Sequence, residues 1–239
     1  MENKNGSEFT NIDNIFSPLL QNGVYLREVT LPTDNPNFKM IANQEKTIWR
    51  ANMIVLGKEY QLTDVDTFKY LIKCGANIRA CNDFAIYWCV SGGHTDLVKY
   101  LVKKGAKIHV FDDCPLRLAS EKGYLDIVKL IIKKEKSKYV SRALNLVLRW
   151  GAISGHLNIV KYTTGLGADI HIDNDFVFRW SAKNGHLDVV KYLIELGANI
   201  HVNDDFAFKW SEENGHLDVH KFLKTCLDSK ETDNVDPKC

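Results

Sequence analysis

One sequence pattern returns about every thirty residues, and this repeat constrains the fold more than any other feature. A glycine followed by His or Tyr marks the register, and the spacings between successive marker glycines are 30, 32, 30 and 30 residues. The marker glycines are Gly93, Gly123, Gly155, Gly185 and Gly215. A Gly-Ala pair closes each of four copies, at Gly75, Gly105, Gly167 and Gly197. The pair at Gly75 has no Gly-His partner upstream, so it closes a degenerate first copy. The sequence therefore predicts about six repeats.

Each repeat is predicted to fold as two short helices. An aspartate stands where the first helix begins, and we expect its carboxylate to accept the free N–H groups of the first turn. These residues are Asp83, Asp113, Asp175 and Asp205. The second helix carries apolar residues at helical spacing, which in the fifth repeat are Leu187, Val189, Val190, Leu193 and Ile194. Because one helix pair cannot bury its apolar side alone, the pairs must stack into an all-α solenoid.

The motifs of these repeats resemble the ankyrin repeat. Cys114-Pro115-Leu116-Arg117-Leu118-Ala119 is similar to its T-P-L-H-x-A signature, and the segments starting at Gly185-His186 and Gly197-Ala198 match its later motifs. The repeat here is 30 residues rather than 33, so the projecting hairpin between repeats should be blunted. This shorter variant, rich in F-x-W, resembles the ankyrin-repeat proteins of giant, mimivirus-like DNA viruses of amoebae. That resemblance implies action inside a host cell.

The predicted domain organisation has four parts. Residues 1–16 are expected to be disordered, residues 17–50 to form a leader that caps the first repeat, and residues 230–239 to form a disordered tail. Residues 24–31 are partly alternating and rich in Val and Thr, which predicts a strand and a β-containing cap. A separate partner-recognition module is the alternative for this leader. The array is predicted over 51–229, divided as 51–80, 81–110, 111–140, 141–172, 173–202 and 203–229.

Charge and hydropathy exclude several classes of protein. The chain has 31 Lys and Arg against 30 Asp and Glu in 239 residues, which argues against a general binder of nucleic acid or anionic membranes. The longest apolar run, residues 84–90, is far below the roughly 20 residues that a membrane helix needs. The polar N-terminus lacks an apolar signal-peptide region, so we read the six cysteines as reduced thiols. We expect an intracellular monomer in the host-cell cytoplasm, with the nucleus or the virion as alternatives.

No pattern of catalysis or cofactor binding is present, so we expect neither an enzyme nor a cofactor or metal site. Seven histidines recur at two repeat positions, but stacked helices lie about 8–10 Å apart, too far for one shared metal. They are interpreted as structural residues. Four recurring tryptophans suggest either a base-stacking ladder or packing between repeats, and Leu118 at the equivalent position favours packing. The tryptophans are Trp88, Trp150, Trp180 and Trp210.

The recurring lysines suggest either a phosphate-binding stripe or a solvated face, and the nearby acids favour the solvated face. They follow each marker glycine by six residues, at Lys99, Lys129, Lys161, Lys191 and Lys221.

The resemblance implies a non-catalytic scaffold that binds a host or viral protein of unknown identity along its concave face. Ankyrin proteins contact partners with hairpin tips and the ends of first helices. Mapped by motif, the candidate partner-binding residues are Val110, Phe111, Glu121, Lys122, Ile172, Asp173, Lys183, Asn184, Val202, Asn203, Glu213 and Asn214. Two alternatives are a substrate adaptor for a host ubiquitin ligase and a structural or packaged virion protein.

The sequence predicts that residues 135–167 are the least stable part of the array. Thr163 and Thr164 stand where the next repeat has Leu193 and Ile194, and a glycine inside a helix costs roughly 1 kcal/mol relative to alanine. Hydrogen–deuterium exchange should therefore be faster over 135–167 than over the repeat that follows. Uniformly slow exchange across this stretch would contradict the prediction.

Overall fold

Strands precede helices along the chain. The computed structural model describes residues 7–11, 15, 25–44, 46, 48–135 and 137–233, and in this part of the chain five short strands are followed by eleven helices. The chain divides into two compact lobes, an N-terminal lobe of residues 1–115 and a C-terminal lobe of residues 116–239.

The strands of the N-terminal lobe form two small antiparallel sheets. Strands β1 (Ser7–Phe9), β3 (Met40–Ala42) and β4 (Trp49–Ala51) make one sheet in the order β1-β4-β3. Strands β2 (Tyr25–Thr30) and β5 (Val55–Gln61) make a two-stranded ribbon with an irregularity between Arg27 and Val29.

The ribbon is held against helix α1 (Val65–Lys73). The ring of Tyr60 stacks on that of Tyr70 with centroids 5.0 Å apart, and the Tyr60 hydroxyl donates to Glu28 Oε1 at 2.5 Å. This contact confirms the predicted β-containing cap.

The helical array starts later than the sequence indicates. Residues 51–80 were predicted to form a degenerate first repeat, but β5 occupies 55–61 and α1 is the one helix that lies wholly within this range. The reason is that β2 offers an antiparallel partner, which the local pattern of 55–61 does not reveal. Strand β1 likewise lies inside the segment 1–16 that was expected to be disordered. Helices α2 (Ala80–Ser91) and α3 (Thr95–Lys103) then form the first complete pair.

The C-terminal lobe contains four successive helix pairs, and its first helix begins at the end of the N-terminal lobe. The helices are α4 (Cys114–Glu121), α5 (Leu125–Ile132), α6 (Ser137–Ile153), α7 (Leu157–Gly165), α8 (Ile172–Lys183), α9 (Leu187–Glu195), α10 (Val202–Glu213) and α11 (Leu217–Asp233). First helices pack on first helices and second on second: α6, α8 and α10 form one row, and α7, α9 and α11 the other. This arrangement confirms the predicted all-α repeat architecture. Helix α11 runs to Asp233, past the predicted end of the array, while residues 234–239 lie outside the described part.

The predicted apolar face of the second helices is buried. Val189, Val190 and Leu193 are fully enclosed, whereas Leu187 and Ile194 are half-buried at its edge. On the first helix of the same repeat Phe178 is fully buried. Burial of each such side chain is worth about 1.5–3 kcal/mol, so this shared core supplies most of the lobe's cohesion.

A left-handed turn of three residues lies at the start of the first helix in four of the described repeats. The φ angles are between 50° and 59°, in residues 81–83, 111–113, 173–175 and 203–205. Such backbone costs L-residues roughly 1–2 kcal/mol each, and asparagine and aspartate tolerate it best. Ten of these twelve positions are Asn or Asp, which explains why the sequence concentrates them there.

The aspartate that ends each turn makes contacts other than the predicted helix cap. Asp113, Asp175 and Asp205 each lie beside Nδ1 of the histidine four residues earlier, at 2.6, 2.9 and 2.9 Å. Asp83 accepts the backbone N–H of Lys107, in the connection to the next repeat, at 3.0 Å. The carboxylates therefore hold the turn and the inter-repeat connection together.

Two of the histidines that follow marker glycines, His156 and His186, join their repeats to the repeats before them. The His186 ring lies over Gly155, where an added Cβ would come within 2.5 Å of the ring, and its Nε2–H donates to the Ile153 carbonyl at 2.7 Å. His156 repeats both contacts with Gly123 and with the Glu121 carbonyl, at 2.8 Å. The structural role predicted for these histidines is thus confirmed, and it requires the marker glycines.

The fourth repeat accommodates its polar substitutions. Thr163 is fully buried, but its hydroxyl donates to the Ile159 carbonyl at 2.9 Å. The Thr164 hydroxyl lies 3.0 Å from that of Tyr192 in the next repeat. Gly165 is the last residue of α7 rather than an interior one. These contacts satisfy the polar groups, although they do not replace the lost apolar area.

Two glycines of the fourth repeat give a matched test of the contact between the histidine ring and the marker glycine. Gly155 and Gly167 both have positive φ, +76° and +89°, but only Gly155 has a ring above it. Gly167→Ala should cost about 1–2 kcal/mol in free energy of unfolding through backbone strain alone. Gly155→Ala should cost about 1–3 kcal/mol more, since the His186 hydrogen bond is also lost. Urea unfolding measures both, and equal costs would show that this contact contributes nothing.

Candidate functional site

The side chains on the first helices of the C-terminal lobe form a regular cationic and aromatic surface. We define the first-helix face as the exposed and half-buried side chains of α4, α6, α8 and α10 and of the residues between each of these helices and its marker glycine. A cation stands at the same repeat position in all four helices, and these residues are Arg117, Arg149, Arg179 and Lys209. Beside this basic column run half-buried rings at two further positions, Trp150, Phe176, Trp180, Phe206 and Trp210.

Cations of one repeat lie over rings of the next. Arg117 lies 5.3 Å from the Trp150 ring centroid, and Arg149 lies 4.7 Å from that of Phe176. The same relation continues with Arg179 over Phe206 at 5.3 Å.

Lys183 contacts two rings at once. It lies 4.3 Å from the Trp180 centroid and 3.9 Å from the Trp210 centroid, so it joins two repeats. Each cation–π contact at an exposed site is worth about 0.5–1 kcal/mol. The contacts on this face therefore also hold one repeat against the next.

Two guanidinium groups are oriented by further hydrogen bonds. Arg179 donates from Nε to the Asn174 carbonyl and from Nη2 to the Asp173 carbonyl, both at 2.8 Å. Arg149 forms an ion pair with the Asp173 carboxylate. Because rings and carbonyls hold the planar guanidinium groups, little side-chain entropy remains to be lost on binding.

The lysines of the second helices also reach the next repeat. Lys129, Lys161 and Lys191 are exposed as predicted, yet each lies over a ring of the following second helix, at 5.8, 5.3 and 5.3 Å. The rings belong to Tyr162, Tyr192 and Phe222. This column is therefore a solvated face that also contributes contacts between repeats.

The tryptophans of the C-terminal lobe pack at the seams between repeats, as the sequence favoured. Trp150, Trp180 and Trp210 are half-buried rather than enclosed in the core, and cations lie over their rings. Trp88, in the N-terminal lobe, is also half-buried and lies against His94 with centroids 5.2 Å apart. The tryptophan rings therefore have packing partners within the protein, whereas rings that stack on bases would have open faces.

The structure revises the predicted partner-binding residues. Val110 and Val202 are buried, with 2% and 8% of their surface exposed, and Val202 belongs to the hydrophobic core of the C-terminal lobe. They cannot present side chains to a partner, so both assignments are wrong. Ile172 is half-buried. Exposed side chains remain at Phe111, Glu121, Lys122, Asp173, Asn203 and Glu213, and Phe111 belongs to the N-terminal lobe.

Three other predicted residues have defined contacts. Asn184 and Asn214 donate their side-chain amides to the carbonyls of Ile153 and Trp210, both at 2.8 Å. Lys183 is the lysine between two tryptophans. The prediction missed Arg117, Arg149 and Arg179, although the sequence shows a basic residue replacing the ankyrin histidine at this position in successive repeats.

Groups with shifted proton affinity belong to the N-terminal lobe. Burial raises the pKa of the Cys89 thiol, which makes this cysteine a poor nucleophile. Burial lowers the pKa of His94, and the hydrogen bond to Glu28 raises the pKa of Tyr60. Across the described residues, no cluster of three or more His, Cys, Asp or Glu side chains is arranged to hold a metal ion.

The described helices are all too short or too polar to cross a membrane.

Comparison with known proteins identifies the repeats. The sequence profile of ankyrin repeats matches residues 59–142 and 148–234, which together exceed half of the chain. An uncharacterized protein of Acanthamoeba polyphaga mimivirus is 48% identical over 75 residues, covering 31% of this chain and 54% of the relative. Two proteins of the same virus that are named for ankyrin repeats are 40% and 42% identical over 96 and 78 residues. The alignments cover 38% and 33% of this chain, and 31% and 38% of those relatives.

The chain therefore spans about half or less of the length of these curated relatives.

Removing the lysine between the two indoles tests whether the cation–ring contacts between repeats, which we call the ladder, hold the repeats together. Lys183→Gln should lower the free energy of unfolding by about 1–2 kcal/mol, because two cation–π contacts are lost. Lys209→Gln is the control, since the described part of the chain gives Lys209 no ring contact, and it should change stability by less than about 0.5 kcal/mol. Chemical unfolding followed by tryptophan fluorescence measures both. Equal effects would show that the ladder is energetically neutral.

Proposed function

Because the chain belongs to the ankyrin-repeat family, we propose that it is a non-catalytic scaffold that binds a host or viral protein along its first-helix face. Ankyrin repeats generally mediate interactions between proteins. The observation that carries the proposal to this face is the ordered array of charged and aromatic side chains on α4, α6, α8 and α10. The scaffold acts as a monomer and needs no cofactor.

The first-helix face combines a constant frame with variable side chains. Buried valines and leucines recur in each second helix, whereas the residue two positions before the marker glycine changes from Glu121 to Ile153, Lys183 and Glu213. Those side chains are exposed or half-buried, so their variation leaves the core unaffected. A surface that varies on a repeated scaffold is the arrangement by which repeat proteins select partners.

The face is preorganised for binding. Association loses roughly 0.5–1.5 kcal/mol for each flexible side chain that becomes fixed. Ring contacts already restrict Arg149, Arg179 and Lys183, and the two arginines are further oriented by Asp173 and Asn174. A partner that binds these groups therefore loses less side-chain entropy, so more of the interaction energy appears as affinity.

The viral relatives support a place for the protein inside an infected host cell. All the relatives compared above come from a virus of Acanthamoeba, and two are named for ankyrin repeats. We place the protein inside the infected host cell, in the cytoplasm. The partner is then either a host protein or another protein of the virus.

Site-specific photo-crosslinking tests the proposed face. A photoreactive amino acid replaces Lys122 or Glu213 on the first-helix face, or Lys161 or Lys191 on the second helices as matched exposed controls. In infected Acanthamoeba, the first two positions should crosslink to the same discrete protein and the two controls should not. Crosslinks from the control positions alone, or from no position, would contradict the proposal.

The identity of the captured protein also decides between the alternatives from the sequence. A ubiquitin-ligase subunit would favour the adaptor role, and a structural component of the particle would favour the packaged virion protein.

A further inference from the structure

Charge is unevenly distributed along the helical array. Residues 127–168 contain eight Lys or Arg and one acid, whereas residues 169–233 contain seven Lys or Arg and thirteen Asp or Glu. The first stretch therefore has a net charge of +7 and the second a net charge of −6. The two nearly cancel in the whole chain, whose net charge is +1. The balanced total, which argues against binding to anionic membranes, thus conceals a strongly basic part of the C-terminal lobe.

Four lysines of the basic stretch lie together on two neighbouring second helices. Lys133 follows Lys129 by four residues, so both lie on the same side of α5 near its end. Lys161 holds the repeat position of Lys129 on α7, and packed helices lie about 8–10 Å apart. All four side chains are exposed. We define the lysine patch as Lys129, Lys133, Lys134 and Lys161.

The second helices that carry the lysine patch have few acids. An aspartate precedes the recurring lysine by three residues in the other second helices, at Asp96, Asp126, Asp188 and Asp218. Helix α7 has the neutral Asn158 at this position. Asp126 lies in the first turn of α5, at the opposite end of the helix from Lys133 and Lys134. The patch is therefore a local excess of positive charge.

The acids nearest in sequence to the helix ends do not neutralise the patch. Glu135, after α5, is half-buried. Asp169, in the connection after α7, accepts the backbone N–H of His171 at 2.9 Å. Across the described residues, no ion pair joins a lysine of the patch to an acid. The four positive charges are thus balanced by solvent ions alone.

From this charge distribution we propose that the lysine patch binds the surface of an anionic phospholipid membrane, peripherally and reversibly. The proposal goes beyond the scaffold function and does not depend on it. The patch lies on second helices, whereas the proposed protein partner lies along the first helices. A scaffold with both surfaces would hold its partner at a membrane.

The chemistry of the patch suits lipid headgroups. Clusters of four or more basic residues bind membranes that contain anionic lipids, and each cation near the surface raises the affinity about fivefold. The lysine ammonium group is a compact point charge on a flexible stem, so it can meet a phosphate without a fixed geometry. The same surface repels the acidic residues of 169–233, which would orient the lobe with α5 and α7 toward the membrane.

An exposed leucine beside the lysines favours lipid over nucleic acid. Leu166 caps the end of α7 and has 50% of its surface exposed. An apolar side chain of this kind can enter the boundary between headgroups and acyl chains, whereas the phosphate backbone of a duplex offers it no apolar contact. Single-stranded nucleic acids need open rings for stacking, but the rings of Tyr162 and Tyr192 already have lysines over them.

Vesicle sedimentation tests the proposal with the full chain. The probes are vesicles of phosphatidylcholine with about 30% phosphatidylserine, and vesicles of phosphatidylcholine alone. The chain should bind the anionic vesicles at least about tenfold more tightly, and about 0.5 M salt should release it because the surface charges are screened. A labelled DNA duplex of about twenty base pairs, followed by fluorescence anisotropy, is the nucleic-acid probe.

Matched lysine variants separate the patch from general attraction. Lys133→Gln with Lys134→Gln should weaken binding to the anionic vesicles about tenfold or more. Lys221→Gln with Lys224→Gln removes the same charge from α11 and should change the affinity by less than about threefold. In the described part of the chain none of these four side chains has an ion pair or a ring contact, so thermal unfolding should be unchanged. Lys133→Arg with Lys134→Arg keeps the charge and should bind within about threefold of the parent.

Matched leucine variants test the lipid contact itself. Leu166→Gln should weaken binding to the anionic vesicles about threefold, because an apolar contact with the membrane boundary is lost. Leu196→Gln is the control, since Leu196 holds the same repeat position on α9, is 42% exposed and belongs to the acidic part of the lobe. It should leave the affinity within about 1.5-fold of the parent.

Four results would overturn the proposal: no binding to the anionic vesicles, equal binding to the neutral ones, equal losses within either matched set of glutamine variants, or binding of the DNA duplex at a lower protein concentration than the anionic vesicles. The scaffold function has a separate readout, because the crosslinking positions Lys122 and Glu213 belong to the first-helix face. Their crosslinks would remain if the chain bound no membrane.

Discussion

The structure depends on one constraint: a short helix pair cannot bury its own apolar side, so each pair completes its core on its neighbours. In the C-terminal lobe this core is continuous through Val160, Phe178, Val190, Leu193 and Leu223, all fully buried. First helices then form one row and second helices another. Because apolar burial is not directional, it accounts for cohesion but not for the exact position of one repeat relative to the next.

Directional contacts between consecutive repeats fix that position. The His186 ring lies over Gly155 and bonds to the Ile153 carbonyl, which is possible because glycine at this position has no side chain. Cations over rings do the same on both rows, as with Lys183 on Trp210 and Lys161 on Tyr192. Each contact is small, but every one of them joins consecutive repeats. Together they set the spacing at which the first helices display their side chains.

The geometry of the candidate site follows from these contacts between consecutive repeats. Arg149 and Arg179 lie over rings of the following repeat, and Arg149 also pairs with Asp173 there, so the contacts that stabilise the array also orient the cations on its face. The stability of the array and the geometry of the candidate site are therefore coupled. A change in the ladder is expected to alter the geometry of the face as well as the free energy of unfolding.

The sequence alone determined the architecture, because the period, the marker glycines and the apolar spacing are local and recur in phase. The predicted faces of helices such as α9 follow directly from that spacing. Tertiary structure decided what depends on partners distant in the chain. Residues 55–61 form a strand because β2 pairs with them, and Val202 is buried because it joins a core to which several repeats contribute. The ladder joins residues about one repeat apart, so its contacts exist only after two helix pairs have stacked.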